Sequence, residues 1–228
     1  MIKQGKSYSK DGHIAFILGK EFKTVDDIPA IVAEQAKTFI ASDDKTDYIK
    51  LGEQFIFFVK ENEDLEKMRV AGHEIRTKLA KSAEQIYISG KGNTALALAE
   101  GLALSNYQFL KYFKDADKKR YQLKEITLLD TFEAKEISRL NNTTKAVYWS
   151  RDMVNEPLSY LTAPQLAKEI QSFGNVDNLK VTVFDKKKIQ ELKMGGLLAV
   201  NLGSVDEPSF TIVEYKPKNP KNKKPIVL

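Results

Sequence analysis

FIFFVKENEDLEKMRVAGHEIRTKLAKSAEQIYIS, residues 55–89, carries the alternation on which the fold turns. Its opening run, Phe55-Ile56-Phe57-Phe58-Val59, is apolar without interruption and strand-sized, the pattern of a strand covered on both faces. Asn62 to Lys81 then sets Leu65, Met68, Gly72, Ile75 and Leu79 on one helical stripe. Gln85 to Ser89 reads as a second strand. Thr94 to Phe113 reads as a helix that is apolar nearly all round, and therefore deeply buried.

The same alternation extends outward. Ile14 to Leu18 is an upstream strand. Downstream, Glu125 to Leu129 is a strand, followed by a long helix from about Ala134 to Val154. That helix stops at Asn155-Glu156-Pro157, because the residue before a proline is pushed out of the helical region. Thr162-Ala163-Pro164-Gln165 restarts a helix, with Thr162 as cap, Pro164 in the first turn and Gln165 at the capping-box position. Leu179 to Phe184 is a strand, Lys186 to Leu192 a short helix, and Phe210 to Tyr215 and Pro225 to Leu228 are further strands. The expectation is an α/β fold with largely parallel pairing, including the strands from Val181 onward.

Composition sets the class. The 228 residues are 42% hydrophobic, 29% charged and 10% aromatic, with 12 Gly and 7 Pro, an ordinary globular balance for one large domain or two modest ones. No cysteine is present, which removes disulfides, thiolate nucleophiles and Cys-based metal sites and fits a reducing compartment. The longest apolar runs fall far below the ~18 residues of a membrane span. Met1-Ile2-Lys3-Gln4-Gly5 lacks the apolar segment of a secretory signal. A cytoplasmic location is expected. The net charge of +5 is matched by Lys216, Lys218, Lys221, Lys223 and Lys224 alone, so the rest of the chain is balanced. That lysine stretch reads as a solvated loop, since no aromatic or Arg interleaves it. Pro225 to Leu228 opens an apolar strand with no turn after it, and the chain is expected to be cut there.

Chemistry-bearing candidates each have a plainer reading. Gly90-Lys91-Gly92-Asn93-Thr94-Ala95 follows a strand and opens a helix, the setting of a dinucleotide-binding turn, yet Asp115 and Asp117 do not end a second strand as a ribose-binding acid does. A plain strand-to-helix turn is favoured. His13 and His73 are the only histidines; His73 falls off the apolar stripe and His13 has no evident partner. Glu61, Glu63, Asp64 and Glu66 lie in a first helical turn, where the helix dipole favours acids without a ligand. Asp43 and Asp44 lack calcium-loop spacing. Gly195-Gly196 and Asn201-Leu202-Gly203-Ser204 read as turns around Leu197 to Val200, with no Walker lysine and no nucleophile elbow about Ser204.

Several later segments, read together, resemble the leucyl (cytosol) aminopeptidase family. These are Trp149-Ser150-Arg151-Asp152-Met153-Val154-Asn155-Glu156-Pro157, then Tyr160-Leu161-Thr162-Ala163-Pro164-Gln165-Leu166-Ala167. Val181 to Asp185, Met194 to Ser204, Glu207-Pro208-Ser209-Phe210 and Glu214-Tyr215 follow the family's order, and Ala99 to Phe113 is similar to a helix of its N-terminal domain. The lysine stretch is longer than the family's usual turn, and Glu156-Pro157-Leu158 shows one proline where relatives often show two.

The resemblance implies an α/β architecture: an N-terminal macro-like α/β domain over 1–135, a long junction helix over 136–160, and over 161–228 the opening strands and helices of an exopeptidase domain. It implies a hexameric metallo-aminopeptidase that releases N-terminal residues, often Leu, from peptides. Two divalent metal ions, zinc or manganese, would activate water and polarise the scissile carbonyl. The family's ligand loop follows a strand like Lys224-Pro225-Ile226-Val227-Leu228, so no catalytic, cofactor-binding or metal-binding residue is assigned within this chain, which is expected to be inactive alone. Gly90-Lys91-Gly92 is not that loop, and Arg151, Asp152 and Asn155 read as junction and helix-end residues. The partners implied are the peptide substrate and further copies of the chain, with no membrane, and the charge balance argues against nucleic acid. The alternative is a non-catalytic, macro-like module for binding or assembly, on a nucleotide or nucleic acid.

Overall fold

The computed structural model describes residues 1–9, 12–19, 29–172, 179–222 and 224–228, which fall into two compact units, Met1–Arg151 and Asp152–Leu228. In the first unit β1 (Ile2–Gln4), β2 (His13–Leu18), α1 (Ala30–Ala41), β3 (Thr46–Leu51), β4 (Gln54–Lys60), α2 (Leu65–Lys78), β5 (Gln85–Ser89), α3 (Gly92–Ser105), α4 (Ala116–Lys119) and β6 (Glu125–Leu128) follow in chain order. A long helix, α5 (Ala134–Asn155), contains the boundary between the units. The second unit holds α6 (Ala163–Gln171), β7 (Leu179–Phe184), α7 (Lys186–Glu191), α8 (Gly195–Asn201) and β8 (Phe210–Tyr215).

The unbroken apolar run of β4 has a two-sided explanation. Phe57 and Val59 join one buried cluster with Met68, Ile75, Leu98 and Leu102, while Ile56 and Phe58 join another with Val32, Ala36 and Phe39. Successive side chains of a strand point to opposite faces, so a strand with helices on both sides needs apolar residues at every position. Accordingly α2 and α3 cover one face and α1 the other. The sheet runs β1-β6-β5-β2-β4-β3, parallel throughout except for the β3-β4 hairpin.

Helices α2 and α3 meet at glycines. A methyl placed on Gly101 would land on the Arg69 backbone, and one on Gly72 on the Leu98 carbonyl. The close crossing also brings the Arg69 Nε to 2.6 Å from the Glu100 carboxylate, a hydrogen bond that raises the guanidinium above its ordinary value. Asp64 caps α2 by accepting from the Glu66 N–H at 3.0 Å.

Two edges of the sheet are tended by side chains. The Asn141 amide on α5 accepts from the Ile2 N–H at 3.0 Å and donates to the Ile2 carbonyl at 2.7 Å, completing the outer side of β1. On β3, Asp47 Oδ1 accepts from the Tyr48 N–H at 2.8 Å, which blunts that edge.

The expected helix to Phe113 ends instead at Ser105. The cause lies in the amides that follow: Asn106 Nδ2 donates to the Leu123 carbonyl (3.0 Å) and Gln108 Nε2 to that of Lys119 (3.0 Å), so the chain turns back on itself. Helix α5 covers the predicted span and ends before Pro157.

In the second unit α6 starts as its sequence predicts, with Thr162 Oγ1 accepting from the Gln165 N–H and Pro164 in the first turn. Three expectations need correction. Strands β7 and β8 pair antiparallel, Val181 opposite Val213, so the parallel pairing expected from Val181 onward is not found. Gly195-Gly196 begins α8 rather than forming a turn, after Lys193 with φ of 55°. Pro225 to Leu228 is not a strand: no described strand pairs with it, and Ile226, Val227 and Leu228 are exposed.

Candidate functional site

The strand-to-helix turn after β5 is the first place where the fold gathers polar groups. Gly90 N–H donates to the carboxylate of Asp130, which follows β6, at 3.1 Å. Thr94 Oγ1 donates to Glu61 Oε1 at 3.3 Å and to the Lys91 carbonyl at 2.9 Å. Gly92 has φ of 56°, and Lys91 at the start of α3 makes no side-chain cap. A pyrophosphate would need the amide that Asp130 already occupies, and two carboxylates beside the turn oppose a second anion. Asp115 and Asp117 lie at α4, away from any strand end, and pair with Lys119 and Arg120. Asp130 was not among the sequence candidates. Its signal was its place just past an apolar strand, a common address for polar groups in parallel sheets.

The histidines differ. His13 has a partner after all: the Phe55 N–H donates to its Nδ1 at 3.1 Å, and its ring lies 5.8 Å from that of Phe55. Burial pushes the imidazole below its ordinary value, with Glu53 acting the other way. His73 is exposed, its Nδ1 3.0 Å from Ser105 Oγ. The acidic cluster is committed to structure: Asp64 caps α2 and pairs with Lys67 at 3.7 Å, and Glu66 pairs with Arg69 at 3.2 Å. Ser204 Oγ accepts from the Asp206 N–H at 3.2 Å, a local turn with no strained elbow.

The end of α5 has more defined geometry. Tyr148 donates its hydroxyl to the Ala103 carbonyl, and Arg151 Nη1 donates to that of Leu104 at 3.1 Å. Both acceptors are among the last carbonyls of α3, which have no partner within that helix and form the negative end of its dipole. The Arg151 guanidinium also lies 4.3 Å over the Tyr107 ring, which meets the Tyr148 ring edge-on at 5.2 Å. Burial pushes the Tyr148 phenol up to about 12, against the opposing pull of Arg151 and Arg76. Arg76 is itself buried and displaced below its ordinary value by that burial. Its guanidinium sits 3.7 Å over Tyr121 and bonds Asn106 Oδ1 at 2.9 Å.

Among the described residues no group of three or more His, Asp or Glu side chains is placed to hold a metal ion. Among the described residues no helix is long and apolar enough to cross a membrane.

This mixed α/β architecture, with its mainly parallel sheet, is that of leucine aminopeptidases. A tomato leucine aminopeptidase mutant superposes with a TM-score of 0.73 over 97% of this chain and 52% of that one, at 17% identity. The bottromycin maturation enzyme BotP in complex with Mn superposes at 0.70 over 92% of this chain and 46% of its own, at 20% identity. Residues 148–228 match the cytosol aminopeptidase family, catalytic domain. A probable cytosol aminopeptidase of Chlorobaculum parvum is 56% identical over 79 residues, 35% of this chain and 16% of that protein. One from Persephonella marina is 30% identical over 176 residues, 70% of this chain and 35% of that protein. Residues 148–228 are thus similar to the catalytic domain of the cytosol aminopeptidase family, the resemblance carried by the Trp149–Pro157 and Tyr160–Ala167 segments. These matches span about a third or less of the relatives' own length.

Proposed function

We propose that this chain is the N-terminal portion of a leucyl-aminopeptidase-type exopeptidase that releases N-terminal residues from peptides. In this reading residues 1–135 form its macro-like domain, 136–160 its junction helix and 161–228 the start of its catalytic domain. The observation that carries the proposal is the match over residues 148–228 to the family's catalytic domain. Two divalent metals, zinc or manganese, would be held by ligands outside residues 1–228, in a cytoplasmic hexamer. The contribution of this chain to catalysis is then architectural. Arg151 and Tyr148 fix the later turns of α5 on the end of α3, and both residues lie at the start of the catalytic-domain match.

A chimera tests the function. Residues 1–228 are joined to the catalytic remainder of the Chlorobaculum parvum relative and offered a leucyl chromogenic amide with manganese or zinc. Metal-dependent release of the chromophore is expected, and a folded chimera without turnover would reject the proposal. The 228-residue chain alone, under the same conditions, is expected to give no turnover; metal-dependent turnover would place a site among residues called structural.

A further inference from the structure

The segment between α3 and β6 holds only the four-residue α4 as a regular element, yet it is firmly built. Its neck is closed by side-chain amides: Asn106 to the Leu123 carbonyl, and Gln108 to both the Lys119 carbonyl and the Tyr121 N–H, the last at 2.7 Å. Arg76 clamps the neck from below, bonded to Asn106 and stacked on Tyr121, and the Gln122 N–H donates to the Lys81 carbonyl at 2.9 Å. A loop whose ends are pinned by its own side chains loses little entropy on engaging a partner.

What this loop holds out is aromatic and basic. Tyr112 and Phe113 are 54% and 49% exposed, large values for such rings. Residues 107–124 contain Lys111, Lys114, Lys118, Lys119, Arg120 and Lys124 against only Asp115 and Asp117. Both acids are paired within the loop, to Lys119 at 3.4 Å and Arg120 at 3.8 Å. Lys114 and Lys118 make no ion pair among the described residues. The excess positive charge is therefore local, since the chain outside residues 216–224 sums to zero with this loop included.

We infer that the 107–120 loop is a docking surface for an acidic protein segment that also carries an apolar side chain. Carboxylates would meet Lys114 and Lys118, and the apolar group would lie against Tyr112 and Phe113. A protein segment is favoured over nucleic acid because ammonium groups already occupy ring faces. Lys119 Nζ is 4.1 Å over Phe113 and Lys111 Nζ 5.5 Å over Tyr112, where a base would have to stack. The single Arg of the loop is engaged with Asp117.

The test uses the whole chain and a fluorescein-labelled peptide of alternating Glu and Leu, with binding read by anisotropy at low salt. The double reversal Lys114→Glu/Lys118→Glu is expected to weaken binding about tenfold or more, and Phe113→Ser by a similar factor. The same reversal placed elsewhere, Lys218→Glu/Lys221→Glu, is expected to change it less than about twofold, where a general charge effect would act equally. All substituted side chains are exposed, and circular dichroism checks that each variant keeps its fold. Equal losses from the two reversals, or no binding by the parent chain, would overturn the inference. So would tighter binding of a single-stranded oligothymidylate or of phosphatidylserine vesicles. A shift in sedimentation on loop reversal would instead assign the surface to a second copy of this chain and likewise overturn it.

Discussion

His13 is held in its neutral form by where it sits. The Phe55 amide donates to Nδ1, so that nitrogen must be unprotonated, and burial opposes a charge on the ring. A folded-state value below the unfolded one means that the unfolded chain binds the extra proton first. Stability is then full above about pH 6.5 and falls as the pH drops from there toward the lower folded-state value, beyond which this contribution is flat. Urea unfolding at about pH 7.5 and pH 5 is expected to show the loss, with a smaller difference in His13→Gln. An equal pH dependence in the variant would assign the effect to other groups. Tyr148 carries the opposite sign, since its raised value favours the protonated phenol and its contribution fades only as the pH rises from about 10 toward 12.

At the scale of elements, the crossing of α2 and α3 is set by the absence of two side chains. Gly101→Ala gains about 0.5–1 kcal/mol of helix propensity but must separate two backbones, a strain of about 1–3 kcal/mol, so net destabilisation is expected. A lower urea midpoint checks it, beside Gly203→Ala, where nothing lies within 4 Å and little change is expected. Sequence pattern announced most of these elements. The β5 and β7 bounds, the capped start of α6 and the proline-limited end of α5 all follow from local physics. What pattern did not announce depends on distant partners. Helix α1 and strands β1 and β3 carry weak periodicity and are held by the sheet. Helix α3 stops at Ser105 because Asn106 and Gln108 find carbonyls more than ten residues ahead. The partner of His13 lies on the adjacent strand β4, and the Asp130–Gly90 contact joins residues just past the ends of neighbouring strands, neither visible along the chain.

Over the whole molecule the two units differ in how much they bury. The first encloses two apolar clusters around a six-stranded sheet, whereas the second buries Ala167 and Ile189 as its apolar core residues and leaves Val200, Leu202 and Val205 exposed. Local opening costs least where few apolar contacts are lost. Hydrogen exchange is therefore expected to leave Ile86 and Ile88 of β5 protected longest and to release the β7 and β8 amides much sooner. Matched rates in the two units would show that they open together.

The outer strand β1 lies between β6 and the Asn141 amide, a contact spanning 139 residues. Synthesis runs in the other order. Ile2 to Gln4 are made long before both neighbours that give them a place, residues 126–128 and Asn141. A strand made early in this unit is thus seated only after partners more than a hundred residues downstream have been made.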